Sequence, residues 1–337
     1  MDTHEAHALG VMAEAADLGL KGADARSWRD RLEGSLDDLR SAFELLLNQD
    51  RSAALRMATA MAGFWKLTSR IPEGRAWLDR AIAGVDPDAA ALAPGLYENA
   101  LLAFWQGDDD TCRSLLASSL ELAQRRNDAT AAAVALCGMA RIALREGDLA
   151  RAQSLCEQAL ERAAGTDDRL GRSNAFHVLG VAAQMRGKFD EARVFMNRRI
   201  AVARELGHLS SVAMEASNLS VVERQAGNLQ LATELAQEAL QLAERRGDEW
   251  MVPYQLSSLA SIAAARNEFA RAAKLLGAAA GMMERMGTAW PPDEKPHFER
   301  TWSATATALG QERFERTRSV GGHMSSRDAV AFALLGS

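Results

Sequence analysis

Few residues in this chain stand where they could do chemistry, and their spacing limits what that chemistry would be. Cys137 and His177 lie 40 residues apart, which is also the period at which the chain repeats. Side by side they would make a thiol and its base. Packed helices sit roughly 10 Å apart, so such a pair works only if both side chains converge. His4 and His7 in HEAH are three residues apart, whereas zinc-protease histidines share a helical face at a spacing of four. GKFD at 187–190 lacks the surrounding glycines of a phosphate loop and reads as a turn. Cys112, Cys137 and Cys156 have no CxxC spacing, which fits a reducing compartment, and Cys156 shares a column with Met196, Ala236 and Leu276 and reads as core. No metal and no cofactor is expected, and no nucleophile, base and orienting group are legible together.

The elements that must position these residues announce themselves by repetition. GDLARA begins at Gly147, GKFDEA at Gly187, GNLQLA at Gly227 and a weakened NEFARA at Asn267, with a bare GDD at Gly107, each 40 residues after the last. Halfway between fall Asn127, Asp167, Gly207 and Gly247. Gly and Asn tolerate the left-handed conformation that closes a helix, and a following Asp can cap the next. Each repeat is therefore two helices of about 16 residues. Ala152, Leu155, Ala159 and Leu160 form one apolar face, and Ala232, Leu235, Ala239 and Leu240 refill the same columns. Alanines at fixed columns let helices approach closely. The pattern predicts an all-α solenoid. Two columns break it: Arg199 replaces the alanine of Ala159, Ala239 and Ala279, and Glu223 that of Ala143, Ala183 and Ala263. An unpaired charge in a packed column is costly, so these two are expected to form a structural ion pair, directly or through a neighbour. A polar pocket between the two repeats is the alternative.

At 337 residues the chain can run as one solenoid without a single core. Its net charge of −6, without a block of basic residues, argues against direct nucleic-acid binding. The N-terminus MDTHEAHALG is unlike a signal peptide, and the uncharged run 250–265 is too short to span a bilayer. A cytoplasmic protein without a membrane partner is expected. In order, 1–48 reads as N-terminal capping helices (His4–Leu18 and Ala25–Leu47, with Gly19–Gly22 as the break) and 49–90 as an irregular first repeat. That repeat pairs a continuous helix, Asp50–Leu67, with a second over Pro72–Ala83, and 85–95 is a looser connector. Regular repeats fill 91–290, WPPDEKP at 290–296 is a proline-rich stop, and 291–337 holds C-terminal capping helices at 297–318 and 325–335.

LGxxxxxxGxxxxA, present as Leu179-Gly180, Gly187 and Ala192, resembles the tetratricopeptide repeat, stretched from about 34 residues to 40. Beyond that, WRDRLEGSLDDLRSAF at 28–43, FWKLTSRIPEGRAWLDRAI at 64–82, RAAKLLGAAAGMMERMGTAWPPDEKPHFER at 271–300 and GHMSSRDAVAFAL at 322–334 are similar to the MalT-like sensor regions of large LuxR-type, ATP-dependent transcription regulators. That resemblance spans essentially the whole chain, yet neither a phosphate loop nor a helix-turn-helix after residue 300 accompanies it. It implies a sensor arm without the ATPase and DNA-binding domains.

The tetratricopeptide resemblance implies that the first helix of each pair lines a concave face. The implied ligand-binding residues are Tyr97, Phe104 and Trp105, then Arg141 and Arg145, then Asn174, His177 and Gln184, then Arg224 and Tyr254. Arginine in such a place suits carboxylate or phosphate. The implied function is a non-enzymatic module binding a protein, a peptide or a small effector in transcriptional or signalling regulation. An enzyme or small-molecule-binding accessory protein using the superhelix lumen is the alternative, and an adaptor for a separate ATPase or DNA-binding chain is a third. A closed lumen lined by Trp105, Arg141, His177 and Arg224 would favour the enzyme or small-molecule-binding accessory protein, for instance of specialised metabolism; an open groove would favour the binding module or the adaptor. The oligomeric state is not legible.

Overall fold

The computed structural model describes residues 1–288, 290 and 294–335, and every regular element among them is helical. The chain opens with α1 (Thr3–Lys21), α2 (Ala25–Gly34) and α3 (Leu36–Gln49). A capping box starts α1: Asp2 accepts from the Glu5 amide and Glu5 from the Asp2 amide, both at 2.8 Å. Next come α4 (Arg51–Ala60), α5 (Ala62–Leu67) and α6 (Ile71–Ile82). These six share a core in which Phe43 and Trp77 stack at 4.2 Å and Trp65 meets Trp77 edge-on at 5.2 Å. Three expected boundaries move. The first helix runs through Gly19 to Lys21, the expected Ala25–Leu47 helix divides at Ser35, and the Asp50–Leu67 helix divides at Met61.

The repeats are α7 (Leu92–Trp105) and α8 (Asp109–Arg125), α9 (Ala129–Arg145) and α10 (Leu149–Ala163), α11 (Arg169–Met185) and α12 (Phe189–Glu205), α13 (Leu209–Gln225) and α14 (Leu229–Arg246), and α15 (Met251–Ala265) and α16 (Phe269–Arg285). Helix α7 takes in Leu92–Gly95, the end of the expected connector. Gly107, Gly147, Gly187 and Gly227 have positive φ, as do Asn127, Gly207, Gly247 and Asn267 at the other marks, so the repeating turn residues close helices in the left-handed region. Asp167 is the exception: α10 stops at Ala163, and the link runs through Thr166 to Asp168. Asp108, Asp128, Asp148 and Asp168 cap the following helices, each accepting from the amide three residues on.

Within each pair the two helices pack antiparallel, and the first helices also touch one another in series: α7 on α9, α9 on α11, α11 on α13 and α13 on α15. The second helices make no comparable contacts. Closer approach on one side curves the solenoid with the first helices inside. The curve then returns on itself. Helix α1 meets α13, and α2 meets α14. Arg26 donates to the carbonyls of Glu244 and Arg245, Arg29 donates to that of Gly247 at 2.9 Å, and Arg246 donates back to that of Leu20 at 2.9 Å.

The chain ends in α17 (Lys295–Leu309), α18 (Gln311–Gly322) and α19 (Ser326–Leu334). Gly310, at φ +77°, divides the expected 297–318 helix into α17 and α18. Pro291, Pro292 and Asp293 of the proline-rich stop lie outside the described residues. No described helix is long and apolar enough to cross a membrane. Helix α18 lies against α16 backbone to backbone: a Cβ at Gly277 would stand 2.0 Å from the Arg318 carbonyl oxygen, and one at Gly321 1.9 Å from that of Lys274. Gly277→Ala should therefore force the two helices apart and cost about 1–3 kcal/mol in urea denaturation. Gly34→Ala, where nothing lies within 4 Å, should cost nothing; equal effects would show that the close approach is not what seats α18.

Candidate functional site

The inner helices repeat with the same period as the sequence, so one column runs round the inside of the curve: Tyr97 on α7, Cys137 on α9, His177 on α11 and Ser217 on α13. Arg141 stands one turn beyond Cys137. Its charge acts on Lys66, Tyr97, Glu98, Cys137, His177 and Arg199, groups drawn from α5, α7, α9, α11 and α12. Its Nε is sealed from solvent without an acceptor, and no described carboxylate lies within ion-pair distance of it.

A second group forms the wall. Glu215 is fully buried and accepts from Arg199 Nη1 at 2.5 Å and from His177 Nδ1 at 2.6 Å. Burial alone would raise the Glu215 carboxyl, but His177 and Arg199 outweigh it and hold it at about 2. Burial drives His177 down to about 4 against the pull of Glu215, so the imidazole is neutral at neutral pH with Nδ1–H directed at the carboxylate. The expected pairing of Arg199 with Glu223 is corrected here. Glu223 instead accepts from Arg193 at 2.6 and 2.9 Å and from Asn228 at 2.7 Å. Glu223 lies two turns beyond Glu215 on α13, roughly 12 Å along the axis, so Arg199 reaches only the nearer acid. Glu215 itself was missed. It breaks the column of Gly95, Ala135 and Ala175, the same kind of signal that flagged Arg199 and Glu223.

Two inner helices far apart in sequence meet where the curve closes. Trp105 at the end of α7 packs edge-on against Trp250 before α15, with centroids 4.9 Å apart, and the Lys66 ammonium lies 4.6 Å from the first ring and 5.4 Å from the second. Burial lowers the Lys66 amine to about 8, with Asp248 opposing the shift. Burial likewise raises the Glu98 carboxyl to about 7, and it pushes the Tyr97 phenol up. Cys137 is buried, its thiol raised by burial to about 12, and it contacts the Gly171 carbonyl rather than His177, so the two do not form a nucleophilic pair.

The remaining sequence candidates divide. Phe104 is buried, and Arg145 stacks on its ring at 3.4 Å, donates to its carbonyl at 2.8 Å and pairs with Asp109 at 2.7 Å; both hold one repeat against the next. Tyr254 packs between Trp250 and Trp290. Asn174 is half-buried on α11. Gln184 donates to Gln225 at 2.9 Å on an exposed edge. Arg224 is half-buried, and burial beside Arg300 lowers its guanidinium.

Stability should follow the buried histidine. In the unfolded chain His177 binds a proton below about 6.5, whereas in the fold it does so only near 4, so stability should fall as pH drops through that window. His177→Gln should flatten the decline of the urea midpoint between pH 7 and pH 5. An unchanged slope would mean that other groups set it.

The geometry can now be set beside known proteins. A family model described as tetratricopeptide repeat matches residues 130–205, that is α9 to α12. No curated protein matches the sequence. Among solved structures the chain is similar to a Rap protein complexed with Competence and Sporulation Factor, at 13% identity over 97% of this chain and 96% of that one, with a TM-score of 0.61. It is less similar to BtubC (BKLC) from P. vanneervenii, at 18% identity over 70% of this chain and 94% of that one, TM-score 0.47. A putative kinesin light chain repeat protein of Podosopora anserina stands at 18% identity over 58% and 97%, TM-score 0.39. The likeness to the Rap protein runs the length of the chain, and the fold is an all-helical solenoid with tetratricopeptide-type repeats.

Proposed function

We propose that this chain is a non-enzymatic binding module of the cytoplasm that holds its ligand inside the closed curve of its repeats and acts in regulation. One observation supports this above all: no described carboxylate lies within ion-pair distance of Arg141 on the inner helix α9, whereas Arg199 and Glu215 in the neighbouring wall pair with each other. Arg141 is half-buried, and a charge partly withdrawn from water without a counter-charge is costly unless something supplies one. Closure of the curve favours a small effector or a short peptide over a folded protein. The resemblance of residues 28–43, 64–82 and 271–300 to MalT-like sensor regions supports a sensing role in transcriptional regulation. The Rap protein of similar fold is itself found in complex with a factor, in keeping with such a role.

An enzyme or small-molecule-binding accessory protein using the same inner side is the second reading, and the closure of the curve speaks for it. It draws on His177, whose Nδ1 is fixed on Glu215 while Nε2 stays uncommitted among the described residues. No activated nucleophile accompanies it. Native mass spectrometry of gently purified protein, before and after exposure to source-cell extract, decides between the readings. A retained small mass that Arg141→Ala releases supports the effector reading. A retained polypeptide that Arg141→Ala leaves in place points to an adaptor with its site elsewhere, and no retained mass sinks the proposal.

A further inference from the structure

The curve closes without a shared core. Leu102 of α7 packs into the core of the six N-terminal helices, so α1 to α7 hold together. A separate core runs from Ala203 on α12 to Ala333 on α19. Among the described residues no core draws side chains from both. Adjacent repeats differ, since Leu136 and Ala159 of one share a core with Ala175 and Leu179 of the next. What crosses the seam is mostly polar. Arg26 donates to the carbonyls of Glu244 and Arg245, and Arg29 donates to the Gly247 carbonyl at 2.9 Å and the Glu249 carboxylate at 3.3 Å. Arg246 donates back to the Leu20 carbonyl at 2.9 Å, and the Ser69 hydroxyl meets the Met286 sulfur at 3.7 Å. Trp105 on Trp250, 4.9 Å between centroids, adds an aromatic contact.

We infer that this seam is a gate: α1 to α7 swing away from α13 to α16 as a unit while both parts stay folded, and the inner side is reached through the gap. Arg26 is exposed and Arg29 half-buried, so water competes for their bonds, which contribute less than a shared apolar core would. Two separately cored parts joined by a small polar contact move relative to one another. Small rotations at the repeat junctions between them take up the swing. Lys66 on α5 and Trp105 on α7 travel on the same side, so opening leaves that cation on its ring at 4.6 Å and uncovers Trp250, which is buried when the gate is shut. Movement of the seam requires no ligand; its use as a ligand entrance rests on the reading that something binds inside the curve.

Ser27 and Glu244 are exposed, one on each lip of the seam, and the native Cys112, Cys137 and Cys156 are buried. Ser27→Cys with Glu244→Cys in the full chain therefore takes a pair of spin labels whose separation is read by electron spin resonance. A short separation and a longer minority one are expected. Arg26→Ala with Arg29→Ala should raise the ratio of long to short at least about tenfold with an unchanged circular dichroism spectrum. Should that chain fail to fold, Arg26→Ala alone serves, with a smaller rise. Arg113→Ala, which breaks an exposed pair with Glu146 away from the seam, should change nothing. A single short separation with and without the seam arginines would overturn the gate. Bridging the same two cysteines with a bismaleimide tests the entrance. The bridge should slow modification of the His177 imidazole by diethyl pyrocarbonate, followed by peptide mass spectrometry, at least about tenfold. Equal rates would overturn the entrance and leave the moving seam, and neither result depends on whether native mass spectrometry finds a retained ligand.

Discussion

The interior of this protein exists because arginines at one end of the superhelix reach backbone carbonyls at the other. The last carbonyls of a helix have no partner within it. Arg26 and Arg29 satisfy those at the end of α14, and Arg246 satisfies the Leu20 carbonyl near the end of α1. Each bond joins a charged donor to an otherwise idle acceptor, which makes it stronger than a neutral one. Together with the contact of Trp105 on Trp250, this clasp closes the curve of the repeats on itself. It also brings Lys66, from the irregular first repeat, over the rings of Trp105 and Trp250.

Inside the curve the molecule treats its charges in two ways. Glu215 is matched twice over, by Arg199 and by His177, and Glu223 is matched by Arg193 and Asn228. Those groups stiffen the junction between the third and fourth regular repeats. Arg141 is left over. Arg199 ends in an ion pair, whereas no described carboxylate lies within ion-pair distance of Arg141.

The tetratricopeptide resemblance implied Tyr97, Arg141 and His177 as groove residues, and they stand on the first helices α7, α9 and α11. The same resemblance offered Phe104 and Arg145, which the contact between adjacent repeats absorbs, because the end of each inner helix lies against the turn of the repeat before it. Lys66, Glu98 and Trp250 were illegible as site residues. Lys66 lies outside the 40-residue register, and Trp250 reaches it only through closure. Glu215 was only weakly legible, since its column of Gly95, Ala135 and Ala175 also ends in the polar Gln255.

By itself the sequence determined the repeating unit: glycine and asparagine at a fixed interval, aspartate caps after them and alanine columns between, all local rules that act within a few residues. The helical class and the pairing of helices follow from those rules. What only the tertiary structure decided is where the curve ends and what it encloses. Curvature accumulates from small rotations at each repeat, and whether the ends meet depends on their sum, which no local pattern records. Closure also decides partners. Arg199 takes Glu215 rather than Glu223 because two helical turns separate the acids, and Arg141 takes neither, which leaves a positive charge at the centre of the molecule.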